Sequence, residues 1–285
     1  MVGGCCAGTL LSGGQYDAYN CTFPAMIADW REKWHASTHG ETARDFPFGF
    51  VQLNSIGNGS TFDHPVDPSD NADGLSAQFG YAGLRWSQTA AHGFVPNAAQ
   101  PNVFMATSLD TPDRPYKFTG SNGVTDDGFN VHSPFKQPVA ARLARAGLAQ
   151  AYNVSVETVG PLFQSVRRVN ETSDDALVEL TGCGASGGVL PVQNTQGFEA
   201  LVPGGAHGAS VWEPVPVIAH AECSVTVGGA FGRNATKLRY NWYSNPCGVD
   251  CFGCAVYVAV EPLVSPPLSG MEQALPLPPF VTDLA

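Results

Sequence analysis

The chain has 285 residues and a mass of 30.0 kDa, enough to bury a sizeable core in one large domain or two smaller ones. A formal net charge of −11 and a pI near 4.9 argue against nucleic acid or an anionic membrane as partner, because phosphate contact is largely Lys and Arg work. Mean hydropathy is −0.05, 14% of residues are charged, and Gly (32) and Pro (22) are abundant; no apolar run approaches the roughly 18 residues of a membrane span, and the composition predicts a turn-rich globular protein.

Residues 1–15 are Gly-rich and without periodicity, which predicts a disordered or frayed start. A helix is expected from Pro24 to about His35, capped by Thr22, with Met26, Ile27, Trp30 and Trp34 on one face. Phe48–Leu53 is a short continuous apolar run, as in a strand buried on both faces, and Val103–Leu109 is a second. Residues 54–77 are a polar, Gly- and Asp-rich loop, and another long loop leads from the second strand to His132. Gln137–Tyr152 reads as helix, with Val139, Leu143, Ala146 and Leu148 at helical spacing. Strand, helix and long loop in alternation predict an α/β layer with a mostly parallel sheet over residues 16–153.

Past Asn153 the texture changes. Short β-rich runs (LFQSVRRV, ALVELTG, GFEALVPG, VPVIAHA, CSVTVG, LRYNWY) alternate with Gly, Pro and Asn turns. They predict an antiparallel, sandwich-like module over 154–285, whose Pro-rich end, LPLPPFVTDL, packs back onto the body.

Eight Cys and five Asn-x-Ser/Thr sequons, at Asn20, Asn58, Asn153, Asn170 and Asn234, together predict a secreted or lysosomal protein. The first residues, MVGGCCAGTLLSGGQ, have neither the basic start nor the apolar length of a signal peptide. A secretory body without that entrance leads us to expect a missing upstream segment.

His132 leads the candidates for chemistry. It ends a long loop between a strand and a helix, where open α/β sheets place their sites. Asp110 and Asp113 follow the strand, and Asp126 and Asp127 precede the His. A His that takes a hydroxyl proton, oriented by a carboxylate, is the acyl-transfer arrangement. The nucleophile is harder to find. Gly184–Gly188 fits Gly-x-Ser-x-Gly around Ser186, but no helix follows it, so a Gly-rich turn is expected. Ser55 follows a strand but also lacks a helix after it. The cluster Cys247, Cys251 and Cys254, with Cys223 upstream, could bind zinc; an oxidising compartment favours disulfides. No phosphate loop, dinucleotide fingerprint or HExxH pattern occurs, so no cofactor or metal is expected.

Several segments carry a resemblance: YDAYNCTFPAMIADWREKWH (16–35), DFPFGFVQL (45–53), LRWSQTAAHGFVPNAAQPNVFMATSLDTPDR (84–114), VHSPFKQPVAARLARAGLAQAYN (131–153), LRYNWYSNPC (238–247) and the closing LPLPPFVTDL. Together they resemble the C-terminal half of the sialate O-acetylesterases. The resemblance implies an SGNH-type hydrolase: Ser, His and an acidic partner on a flavodoxin-like sheet, here incomplete, followed by the β-rich module. It implies a carboxylic ester hydrolase that removes O-acetyl groups from sialic acids, with an O-acetylated sialic acid or sialoglycan as substrate. The family His falls on His132, with Lys136 and Gln137 at its downstream spacing; Ser133 stands where the family usually has Pro. Its acidic partner stays open among Asp127, Asp113 and Asp110. Arg85, in LRWSQ, is the candidate for pairing with the sialic acid carboxylate, since a planar guanidinium can do so bidentately.

The family's Gly-Gln-Ser-Asn nucleophile block and its Gly-Glu-x-Asn block are absent from the 285 residues. The expectation is a fragment that is inert alone. The alternatives are a non-catalytic secreted glycan-binding protein and a purely structural disulfide protein.

Overall fold

The computed structural model describes residues 15–55, 81–112, 116–119, 125–128, 132–183, 188–190, 194–204, 210–243, 245–248, 251–261 and 274–284, without the side chains of 15–17, 81, 116–119 and 125–128. The Gly-rich start and most of the polar loop after Asn54 lie outside these residues.

Helix α1 (Gln15–Ser37) begins well before the expected cap and carries Pro24 inside it. Its buried face is Phe23 and Ile27, which pack with Phe50, Val95, Val103 and Met105. Trp30 and Trp34 remain 43% and 55% exposed and lie against Phe48 and Phe46 at the edge of this cluster. Helical spacing put four residues on one stripe; only the part above the strands is covered.

Strands β1 (Phe48–Val51) and β2 (Val103–Ala106) pair in parallel, Phe48 opposite Val103 and Val51 opposite Ala106. Parallel pairing is as expected, but among the described residues this sheet has two strands. β1 is also not buried on both faces: Phe50 is covered, whereas Val51 is 41% exposed. On the opposite face lies α3 (Lys136–Tyr152). Gly49 is required there, because a Cβ would stand 2.3 Å from the Phe104 ring. The buried residues of α3 are Pro138, Arg142, Arg145 and Ala146, so two arginines replace the apolar stripe read from Val139 and Leu143. Helix α2 (Tyr81–Gln88) was not foreseen. Nor was the hairpin β3 (Tyr116–Thr119) and β4 (Thr125–Gly128) inside the segment read as loop.

The C-terminal part is a sandwich. One sheet orders β5 (Leu162–Arg168), β6 (Ala176–Thr181), β10 (Ser224–Val227) and β9 (Val217–Ala221). The other orders β14 (Phe280–Asp283), β11 (Lys237–Tyr240), β7 (Phe198–Pro203) and β8 (Ser210–Val215). All pairings in both are antiparallel. Val178, Val225 and Val227 of the first meet Phe198, Ala200, Leu238 and Tyr240 of the second in one core, the expected consequence of period-2 alternation on two facing sheets. The Pro-rich end forms β13 (Leu275–Pro276) against β12 (Tyr257–Val258), then β14, and residues 274–280 are buried. Disulfides join Cys183 to Cys223 and Cys247 to Cys254, so these four sulfurs are not zinc ligands; Cys251 lies in the intervening loop.

The outer face of the second sheet meets the α/β layer. Trp86 of α2 packs on Trp242 at 5.4 Å between ring centroids, and Glu199 and Arg239 form a fully buried ion pair at 2.8 Å on that face.

Candidate active site

The parallel pairing brings the carboxyl ends of β1 and β2 side by side. Residues 52–55 and 107–112 leave these ends together, and hydrogen bonds lace the two loops. Gln52 N donates to Ala106 O at 2.9 Å, Ser108 Oγ to Gln52 O at 2.6 Å, and Asn54 Nδ2 to Thr111 O at 2.8 Å. Ser55 Oγ donates to Leu109 O, and Ser55 is fully buried. A hydroxyl spent on a carbonyl inside the protein is not an available nucleophile.

Beyond these loops lies a cavity of about 340 Å³. Leu53, Asn54, Ser108 and Thr111 line one side, and His132 and Lys136 stand on the other, at the start of α3. His132 is exposed, and its neighbour Ser133 is buried with Oγ 3.4 Å from Pro112 O. The same Oγ accepts from Phe135 N at 3.1 Å, which holds the turn that leads from His132 into α3. His132 is therefore presented at the mouth of a cavity at the strands' carboxyl ends, where open α/β sheets bind ligands.

Among the described lining residues none is acidic, and Lys136 carries the one fixed charge. That charge sits in the first turn of α3, whose N-cap Phe135 offers no side-chain cap and whose first turn has no acidic residue. A cation there adds to the positive end of the helix dipole, so among the described lining residues the fixed charge is positive.

The structure separates the other expected residues. Asp110 is fully buried and forms a two-armed pair with Arg142, Nη1 to Oδ1 at 2.6 Å and Nη2 to Oδ2 at 2.8 Å. Tyr257 donates its hydroxyl to Asp110 Oδ2 at 3.0 Å. Burial alone would lower the Arg142 pKa, yet the adjacent Asp110 carboxylate holds it above its ordinary value. Burial, then the Asp110 charge, pushes Tyr257 well above the tyrosine range, so it stays a donor. Asp110 is thus a counter-ion, with both oxygens occupied. Asp113 lies outside the described residues. Asp127 and Asp126 are in β4, opposite Lys117 and Phe118, with side chains outside the description. Residues 184–187, including Ser186, are also outside it.

Arg85 does not face a ligand. It is fully buried, and its guanidinium donates to Leu53 O at 2.8 Å, Asn54 O at 2.9 Å and Tyr243 O at 2.7 Å. The sequence offered an arginine and a reason for a cation, but not which way the helix turns it. Lys136 is the cation on the cavity, and its position four residues past His132 was the available signal. Arg142 and Tyr257 were not singled out, because nothing local marks a helix arginine or a strand tyrosine as buried beside an aspartate. No cluster of three or more metal-binding side chains occurs among the described residues.

Residues 184–284 match the family model of the sialate O-acetylesterase C-terminal domain. Sialate O-acetylesterases from Pongo abelii, Homo sapiens and Mus musculus are 34%, 33% and 32% identical over 269, 270 and 271 residues. These alignments cover 93–94% of this chain and 42% of each relative, so the chain spans about two-fifths of the relatives' length. The crystal structure of a carbohydrate acetylesterase from Xanthomonas citri superposes with a TM-score of 0.56 at 20% identity, covering 96% of this chain and 47% of that one. It supports the fold.

Proposed function

The chain is related to the sialate O-acetylesterases through their C-terminal part, and from that relationship we propose that it supplies the general-base side of a carbohydrate O-acetylesterase site. The observation that carries this reading is His132 at the mouth of a cavity at the carboxyl ends of β1 and β2. In the proposed reaction the imidazole takes the proton of a serine hydroxyl as it attacks the acetyl carbonyl. It then returns the proton to the departing sugar oxygen, and water repeats the sequence to release acetate. Asp113 or Asp127 is the proposed orienting carboxylate, since both Asp110 oxygens are held by Arg142 and Tyr257. The proposed serine is that of the family's Gly-Gln-Ser-Asn block, which does not occur in these 285 residues; Ser55 Oγ is committed to Leu109 O.

The proposed substrate is an O-acetylated sialic acid, and Lys136 among the described lining residues supports an anionic sugar. A secreted or lysosomal setting accords with the two disulfides, and no helix among the described residues is long and apolar enough to cross a membrane. The test is acetate release from O-acetylated sialic acid by protein carrying both the serine block and this chain. Release supports the reading; intact ester after prolonged incubation overturns it.

A further inference from the structure

We propose that the C-terminal β module is a working part of the site, because it positions the cavity loops through Arg85, Arg142 and Tyr257. The inference rests on the function proposed above and extends it from the residues facing the cavity to those holding it from behind. Both loops at the strand ends are pinned by buried guanidinium groups, and each guanidinium also grips the module. Arg85 joins Leu53 O and Asn54 O, on one cavity wall, to Tyr243 O just beyond β11. Arg142 joins Thr107 O (2.8 Å) and Asp110 to Ala274 O (3.0 Å) at the start of the closing segment.

Tyr257, on β12 of the module, completes the second clamp. Its hydroxyl donates to Asp110 Oδ2 and accepts from Cys254 N at 3.2 Å. Phe252 N donates to Asp110 O at 2.7 Å. Leu109 packs in one buried cluster with Tyr257, Ala274 and the Cys247–Cys254 disulfide. The loop carrying Ser108 and Thr111 therefore rests on the module through its backbone, its carboxylate and its one large apolar side chain. The path to the reacting group is short: Pro112 O, two residues beyond Asp110, lies 3.4 Å from the Ser133 hydroxyl beside His132. Such placement matters because a misplacement of about 1 Å can cost about a hundredfold in rate. Tyr257 and both arginines are positioning residues; none lines the described cavity.

Tyr257→Phe tests the inference, since it removes one hydroxyl and keeps the ring. In the 285-residue chain labelled at histidine nitrogen, the His132 imidazole signals should move relative to the unsubstituted chain. In protein that also carries the serine block, kcat for an acetyl ester should fall about tenfold while KM stays within about twofold. Arg85→Lys is the second variant: it keeps the charge but cannot reach three carbonyls at once, and it should give the same split. A lowered melting temperature with unmoved His132 signals, or with unchanged kcat, would mean a structural role only and overturn the inference. If the unsubstituted protein hydrolyses no acetyl ester, the function proposed above fails, and the His132 signals alone decide the positioning.

Discussion

Asp110 and Lys136 show how surroundings assign a role that residue type leaves open. Both belong to segments that meet at the cavity. Asp110 is turned into the protein, where a carboxylate needs a counter-ion, and Arg142 supplies it. Lys136 is exposed on the cavity side, and among the described lining residues none is acidic. A charge-assisted bond to a substrate carboxylate is worth about 1.5–3 kcal/mol. Lys136→Met should therefore raise KM for O-acetylated sialic acid about tenfold or more and leave its uncharged methyl ester within about twofold. Steady-state kinetics on the two substrates checks this, and an equal change on both would remove Lys136 from carboxylate recognition. The place of His132 on the cavity was legible because its position after a long loop is a topological signal; its role as base is a proposal. Arg85 was misread because composition shows that a cation is needed without showing which one reaches the surface.

Among the elements, long runs with one dominant pattern were readable. The α3 helix begins within one residue of its expected start, and β1 and β2 lie inside the apolar runs Phe48–Leu53 and Val103–Leu109. The β3–β4 hairpin was missed because three of the four residues of TDDG, the two Asp and the Gly, disfavour strands, and β4 pairs with Tyr116–Thr119. The exposure of Val51 on β1 depends on what packs beside the strand, which its own residues cannot show. The sandwich strands carry a further consequence in their tyrosines. Tyr240 on β11, Tyr257 on β12 and Tyr243 beyond β11 all have pKa values raised above 10.0, in each case first by burial. The folded chain keeps these protons, whereas the unfolded chain loses them near the ordinary value. Unfolding therefore releases protons above about pH 10, and stability falls there by up to about 1.4 kcal/mol per pH unit for each tyrosine. Below pH 10 these groups contribute no slope. Urea unfolding at pH 9 and pH 11 should show a lower midpoint at pH 11, together with further tyrosinate absorbance, from these three tyrosines, appearing on unfolding. Tyrosinate absorbance in the folded state at pH 11 from all eight tyrosines would contradict it.

At the scale of the whole molecule, a small α/β layer sits against one face of a β sandwich, and buried polar groups rather than apolar area alone join them. Arg31 closes the amino ends of the two parallel strands, donating to Phe46 O, Pro101 O and Asn102 O, while Arg85 holds the carboxyl end of β1. The change of texture near Asn153 was visible in the sequence because strand periodicity and turn residues are local. Cross-layer hydrogen bonds such as that between Arg85 and Tyr243, 158 residues apart, were not. Disulfide pairing was likewise undetermined: the sequence has eight cysteines, whose full pairings number about a hundred, and nothing local marked Cys183 as the partner of Cys223. Peptide mapping without reduction should recover Cys183–Cys223 and Cys247–Cys254, and any other pairing of these four would contradict the sandwich.

The central claim is that His132 is the base of an acyl-transfer site. In protein carrying both the serine block and this chain, His132→Ala should leave the melting temperature and circular dichroism nearly unchanged, because the side chain is exposed. It should lower kcat/KM for O-acetylated sialic acid by about 10³-fold or more, the usual scale for losing the histidine of a nucleophile–base pair. Undiminished turnover by the folded His132→Ala protein would contradict the account.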